Sequence, residues 1–334
     1  MPILYSSAFQ GQSFYREDLQ ALCISFDNQD CIQTSSFLVS LSDQPVLAYF
    51  YTYSSLLSFV RSLLSKPTVL TGGVDYLSCR SVSIRYLLLL FLFYIGALSC
   101  KSILAVSSYD YHKIRSHLPS PLRKKVIFSP HSVARAYAIA SRARVVKDTL
   151  TLQGLTVCWQ GSSENPYRKG VDRAIRLYNC LHLQGVFAPL TIVGAHGAGT
   201  AFIRSVIHSS ARPDLFNLTD FVTEIELESL FLSHNYYIQL SRMEGFGLSV
   251  AEAVLYGCKI ICTNSGGLTT SSGPCALYLD SSTLQLLDSE YFLDPFPIFS
   301  AACFPSNSQR LEYAKLLSTD RRASDIRRAF GPPC

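Results

Sequence analysis

Short apolar runs recur along the chain and alternate with stretches in which apolar residues return every three or four positions. The runs VLAYFY, PTVLTGG, SILAVSS, KKVIFSP, LTVCWQG, LTIVGAHG, YYIQLS and KIICTNSGG read as buried strands. They lack the polar alternation of a half-exposed sheet and suit parallel sheets covered on both faces. MPILYSS at the amino end reads as a further strand. Helical spacing marks SFYREDLQALCIS, YSSLLSFVRSLLS, YDYHKIRSHL, GVDRAIRLYNCLHL and AFIRSVIHSS. This βαβα rhythm predicts an α/β fold with helices on both faces of parallel sheets. The strands are too many for one such sheet, and the segment HSVARAYAIASRARVVKDTLTLQG separates two sets of them. A hinge is expected between Ser129 and Leu155. The expected organisation is a short amino-terminal Rossmann-like lobe over 1–140, a second such lobe over 150–305, and a helical segment over 306–334 that packs back on the first.

The stretch SRMEGFGLSVAEAVLYG carries the most chemistry. It follows a strand, turns through Gly245 and Gly247, and becomes helical from Ser249. Ser249 and Glu252 have capping-box spacing, and Gly257 suits the helix stop. A strand, a glycine turn and a helix start aim free N–H groups and a helix dipole at whatever lies above the turn, which favours phosphate. Glu244 beside that turn suits a ligand that also carries hydroxyls. The competing reading makes Glu252 a helix cap and nothing more.

WQGSSENPYRKGVDRAI runs from a strand end into a helix, with Arg168 and Lys169 just before Gly170. Cations at a helix start oppose its dipole. They make sense if the site holds phosphates, and the alternative is a solvated basic loop. LTIVGAHGAG puts a glycine turn with Gly194 at another strand end, a usual ligand position in open α/β sheets, and NSGGLTT repeats the theme.

Composition narrows the setting. The chain has 334 residues, 48% hydrophobic and 16% charged, with a formal charge of +5. That describes a globular protein with a large core, and no Lys/Arg cluster points to nucleic acid. The 11 cysteines are scattered, without zinc-like or redox spacing, and are expected to be reduced thiols in a cytoplasmic protein. Nothing at the amino end reads as a secretory signal. YLLLLFLFYIGALSC, Tyr86–Cys100, is shorter than the roughly twenty residues that cross a bilayer. It is expected to be a buried core helix. The alternative is a helix lying at the inner face of a membrane, although its own sequence lacks the basic polar face that mode prefers.

RMEGFGLSVAEAVLYGCKIICTNSGG resembles the E-x7-E segment of the retaining glycosyltransferases of family four, which have two Rossmann-like lobes (the GT-B fold) with a donor cleft between them. RKGVDRAI is similar to that family's phosphate-binding helix start, and FVTEIELESLFLSHNYYIQLS to the stretch leading into its E-x7-E strand. The likeness covers Leu155–Leu268 well and the first half loosely. It implies that Lys169, with Arg168, neutralises a diphosphate, and that Glu244 binds donor-sugar hydroxyls. It implies that the N–H groups of Gly245, Phe246, Gly247 and Leu248 hold the distal phosphate. Glu252 would accept from the ribose, and the backbone near Val222 and Glu224 would edge the base. Gly11, Gly161 and Gly194 match donor-side glycine loops, and Asp75 is a candidate for acceptor contact. The chain departs from the family in two places. Ser162 follows Gly161 where an arginine is usual, and PTVLTGGVD carries Gly72, Gly73 and Asp75 where many relatives have a histidine.

The resemblance implies a retaining, metal-independent hexosyltransferase. It would move a sugar from a nucleoside-diphosphate sugar to a glycan or lipid-linked acceptor, with no cofactor beyond that co-substrate. A catalytically inactive sugar-nucleotide-binding or partner subunit of the same fold is the alternative. A sugar-nucleotide epimerase shares the two lobes but fits the E-x7-E segment poorly.

Overall fold

The computed structural model describes residues 1–5, 13–27, 31–49, 52–73, 83–141, 152–157, 165–194, 199–289 and 294–331. The chain begins β1 (Ile3–Tyr5), α1 (Ser13–Ser25), β2 (Ile32–Thr34), β3 (Val46–Tyr49), α2 (Thr52–Leu63), β4 (Thr68–Gly72) and α3 (Ile84–Ser99). It continues β5 (Ser102–Ala105), α4 (Ser108–His117), α5 (Ser120–Arg123), β6 (Val126–Phe128) and α6 (Ala136–Ser141). Then come β7 (Gly154–Val157), α7 (Asn165–Arg168), α8 (Val171–Leu183), β8 (Leu190–Val193), α9 (Gly199–His208) and β9 (Phe216–Thr219). After these lie α10 (Glu224–Ser233), β10 (Tyr236–Gln239), α11 (Leu248–Leu255), β11 (Lys259–Thr263), α12 (Leu268–Ser271) and β12 (Leu277–Leu279). The chain closes with α13 (Ser281–Asp288), α14 (Phe296–Ala301), α15 (Asn307–Leu316) and α16 (Thr319–Phe330).

Two compact units result. One is Met1–Ala136 with Ala314–Cys334, and the other is Tyr137–Tyr313. Each holds a six-stranded sheet whose pairings are parallel, in the orders β2-β1-β3-β4-β5-β6 and β12-β11-β10-β7-β8-β9. The fully buried runs VLAY of β3, SILA of β5 and YYIQ of β10 are central strands. Three strands escape the apolar-run reading: β2, β9 and β12. All three are sheet edges and partly exposed, so no uninterrupted apolar run marks them.

In the first unit, α2, α3 and α4 cover one face of the sheet through Leu57, Phe93, Ala97 and Ile114, while α1 and α16 cover the other. The helix α16 is held there by a buried ion pair. Arg322 Nε donates to Asp18 Oδ1 at 2.9 Å and Nη2 to Oδ2 at 3.0 Å. The same guanidinium donates to Ser129 O at 2.6 Å and Thr71 Oγ1 at 2.8 Å, and the Tyr49 hydroxyl donates to Asp18.

Two expectations are corrected in this unit. The core helix read from Tyr86–Cys100 is only half a core helix. Phe93, Gly96 and Ala97 are buried, but Leu87, Leu88 and Phe91 are more than half exposed. The physical reason is that a helix on the face of a single sheet has one covered side, and here both sides are apolar. Cys23 and Cys31 form a disulfide where reduced thiols are expected. Cys100, Cys180 and Cys262 are buried thiols outside any disulfide, and Cys258 is buried with its Sγ against Phe231 O and His234 O.

Candidate functional site

The order of the second sheet fixes where a site belongs. From β7 the chain steps outward to β8 and β9, then returns to β10 on the other side of β7 and steps out to β11 and β12. Neighbouring strands β7 and β10 thus leave the sheet in opposite senses, and ligands of open α/β sheets bind beyond the carboxyl ends of such a pair. Arg168, Lys169 and Gly170 follow β7. Leu240 to Gly247 follow β10.

The two segments are locked together. Arg242 N donates to Arg168 O at 2.8 Å. Gln239 Nε2 donates to Lys169 O at 3.2 Å and to Ser241 Oγ at 2.7 Å. Gly170 has φ +68°, and a Cβ there would lie 1.9 Å from Leu240 O, so only glycine lets the chains approach this closely. On the other side, the loop after β11 presses on the same segment. Gly267 N donates to Glu244 O at 2.7 Å, and a Cβ on Gly267 would stand 2.0 Å from Gly245 O.

At the centre, Lys169 Nζ donates to Glu244 Oε2 at 2.6 Å. Lys169 is 8% exposed and Glu244 6%, so the solvated-loop reading of Lys169 fails. Arg168 Nη1 lies 3.9 Å from Glu244 Oε1 and donates to Met243 O at 2.9 Å. Burial alone would push the Glu244 carboxyl up. The charges of Lys169 and Arg168, with hydrogen bonds from Lys169 and Ser241, outweigh it and hold the carboxyl below its ordinary range.

Behind this pair lies a charge network that the sequence did not mark. Arg242 makes a two-point contact with Asp172, 2.8 Å on each arm, and reaches Asp288 at 2.7 Å. Its guanidinium stacks 3.7 Å from the Tyr167 ring centroid. Arg173 also grips Asp288, at 2.8 and 2.5 Å. Asp172 stands in the first turn of α8 beside Lys169, and that spacing was the one available signal.

The helix after the glycine turn differs from the capping-box expectation. Gly247, φ +88°, is the N-cap of α11 and has no side chain to cap it. Ser249 therefore falls inside the helix, and its Oγ accepts from the Tyr237 hydroxyl at 2.8 Å. Glu252 stands one turn in, half-buried, so the reading that made it only a cap is removed. The actual capping box is at α10, where Thr223 Oγ1 accepts from Glu226 N and Glu226 Oε2 from Thr223 N. Glu224 begins that helix and is exposed, and Val222 precedes it half-buried. Gly194, φ +82°, ends β8 and donates to Asp220 O at 3.2 Å. The structure thus brings Arg168, Lys169, Glu244 and Gly245 together, with the start of α11 at Gly247 following on the same chain. Gly11, Asp75, Gly161 and Ser162 lie outside the described residues.

Comparison with known proteins bears on the same segment. Residues 163–271 match the family model described as Glycosyl transferases group 1, a span that contains both halves of the site. The O-antigen chain mannosyltransferase B of Escherichia coli is 23% identical over 195 residues, 57% of this chain and 50% of that protein. The chain spans about half the length of the curated relative it matches. Among solved structures, HepE of Anabaena in complex with UDP-glucose superposes with a TM-score of 0.68 at 11% identity, over 97% of this chain and 98% of that one. The pneumococcal O-GlcNAc transferase GtfA in complex with UDP and GlcNAc gives 0.60 at 14% identity, over 86% and 56%. The fold shared with these structures is GT-B, two parallel α/β sheets in one chain.

Proposed function

We infer that this chain is a glycosyltransferase that takes a hexose from a nucleoside-diphosphate sugar. The observation that carries the reading is the Lys169–Glu244 pair with Arg168, buried at the carboxyl ends of β7 and β10. The group 1 family match over 163–271 supports it, and so does the likeness to structures that hold UDP or UDP-glucose.

Breaking a sugar–phosphate bond builds negative charge on the departing diphosphate and positive charge on the sugar. In this reading Lys169 and Arg168 meet the diphosphate, and their fixed charge stabilises it as it leaves. The N–H groups from Gly245 to Leu248, at the uncapped start of α11, receive the distal phosphate. Glu244, kept ionised by its two cations, accepts hydrogen bonds from the sugar hydroxyls and holds Lys169 in place before the donor arrives. Glu252 takes the ribose hydroxyls, and the backbone at Val222–Glu224 edges the base. Two protein cations supply the charge that a divalent ion would otherwise carry, so transfer proceeds without added metal. The resemblance to family four adds retention at the anomeric carbon and a glycan or lipid-linked acceptor.

The test is a thermal-shift screen of UDP-glucose, UDP-N-acetylglucosamine and GDP-mannose, followed by transfer and hydrolysis assays with EDTA present. A ligand at a hundred times its Kd stabilises the folded chain by about 2.7 kcal/mol, a clear rise in Tm. The reading expects one donor to give that rise and to be turned over in EDTA. No shift with any sugar nucleotide would remove it. Turnover lost in EDTA and restored by manganese would remove the metal-independent part alone.

A further inference from the structure

The helix α2 is largely built inside out. Its buried side carries Ser54, Ser55, Ser58 and Arg61 beside a single fully buried leucine, Leu57, and its outer side carries Tyr53, Leu56, Phe59 and Leu63. The buried Arg61 guanidinium is fully engaged, by Thr68 Oγ1 and the carbonyls of Ser40, Ser42, Gln44 and Pro67. Core packing alone favours the reverse arrangement, apolar inward and serine outward. Beside it, α3 presents Ile84, Leu87, Leu88, Phe91 and Leu98 at exposures between 53% and 88%. The two helices pack closely. Gly96 faces Ser55, and Ser99 Oγ donates to Ser58 Oγ at 3.0 Å. Both cover the same face of the sheet, so their outward apolar sides form one surface. Exposed apolar area on this scale marks a contact with something apolar.

The surrounding charge selects the occupant. Among the described residues of 46–129 the one carboxylate is Asp110, which is fully buried, and the exposed Asp43 just before them is paired with Lys66 at 3.0 Å. Arg85 stands exposed at the amino end of α3 and Lys101 just past its carboxyl end. Lys125 Nζ donates to the carbonyls of Ala97, Leu98 and Cys100 at 3.1, 2.8 and 2.7 Å, which brings the turn carrying exposed Arg123 and Lys124 to that same end. The basic groups missing from α3 itself are therefore supplied by its neighbours. Among the described residues no helix is long and apolar enough to cross a membrane, which leaves α3 lying flat.

We propose that the outward face of α2 and α3 docks on an anionic lipid surface, with α3 parallel to it, its apolar side chains in the acyl boundary and the cations at its ends among the headgroups. The proposal does not depend on the donor-site reading, because its test measures no transfer.

The test is flotation of the full chain with vesicles of phosphatidylcholine, alone or mixed equally with phosphatidylglycerol. The chain should float with the mixed vesicles, far less with phosphatidylcholine alone, and less again at high salt. Leu88→Ser and Phe91→Ser should each weaken partitioning more than tenfold, since each removes a large exposed apolar side chain that docking would take out of water. Arg123→Ala with Lys124→Ala should weaken it roughly 25-fold, about fivefold for each cation. Leu88, Phe91 and Lys124 lie on the surface, so Tm should not move in the serine variants, and the double variant gives up the Arg123 Nε bond to Leu118 O at 2.9 Å. Flotation that ignores these changes overturns the proposal, as does equal flotation with neutral vesicles or none with either. Self-association that Phe91→Ser abolishes, without flotation of the parent, would show that a second copy covers the face and would equally overturn it.

Discussion

Asp18 with Arg322 in the first unit, and Lys169 with Glu244 in the second, are both carboxylate–cation pairs taken out of water, yet their surroundings differ at every point. Asp18 and Arg322 are fully buried. The guanidinium makes a two-point contact with the carboxylate and uses its remaining donors on Ser129 and Thr71. It joins residues 304 positions apart, so its work is to fasten α16 to α1, while the same guanidinium reaches Thr71 on β4. Lys169 and Glu244 retain slight exposure and meet through one oxygen, Lys169 in the turn between α7 and α8 and Glu244 on the loop after β10. An ammonium has three donors, and here one of them points at Glu244. In the reading proposed above, the same interaction closes a structure in one unit and, among the described residues, leaves ammonium donors for a ligand in the other. A buried pair is informative about function only when its place in the fold and its unspent valence are read along with it.

The largest expected effect tests the structural half. Arg322→Ala leaves Asp18 charged and buried, and should cost about 3–5 kcal/mol of stability, read as a large fall in the denaturant midpoint. Affinity for a sugar nucleotide, counted per folded molecule, should stay at the parent value. A variant with the parent's midpoint would show that the pair does not fasten α16.

Lys169→Ala is the matched change in the other unit. It should lower turnover about a hundredfold or more, with some loss of stability because Glu244 loses its partner. That stability loss follows from the buried pair and could not be foreseen from a loop lysine in the sequence. Turnover close to the parent's would break the contrast between the pairs.

Arg242→Met should cost about 1–3 kcal/mol, since it removes charged hydrogen bonds to Asp172 and Asp288. It should also reduce kcat, because the segment carrying Arg242 is pinned to Arg168. A full stability loss with kcat unchanged would make the network purely structural.

The smallest effect concerns acid. Burial alone would push the Asp18 carboxyl up, but Arg322 and His131, which face it with Tyr49, hold it well below the usual range. A depressed carboxyl contributes stability above its unfolded pKa of about 3.9, and that contribution is lost as pH falls below it. Denaturation at about pH 6 and about pH 3 should show the parent losing more stability than Asp18→Asn. Equal losses would place the acid sensitivity elsewhere.

These contrasts also show what the sequence could carry. Central strands such as Tyr236–Gln239 are legible because burial on both faces leaves an unbroken apolar run. The edges β2, β9 and β12 are not, because an edge is half in water and its pattern dissolves. Lys169 and Glu244, with Gly170, Gly245 and Gly247, stand out in the sequence because tight turns demand glycine, and the structure brings the two charged residues together. The capping box at Ser249 and Glu252 was misread because Gly247 starts the helix two residues earlier, a backbone conformation that no spacing reveals. Asp172, Arg242 and Asp288 come from three distant segments, and only the folded chain brings their charges together. The outer face of α3 was read as core because periodicity shows that a helix is apolar all round, not which side is covered.

The central claim is that the Lys169–Glu244 site receives a diphosphate. Its most direct test is calorimetric titration of UDP and GDP into the parent and into the double variant Lys169→Met with Glu244→Gln. That variant keeps the volume of the pair and removes both charges, so no lone charge is left buried. The account predicts that the parent binds one of the two nucleotides without metal and that the variant, still folded by its melting curve, binds it at least about tenfold more weakly. Equal affinity in parent and variant would contradict the account.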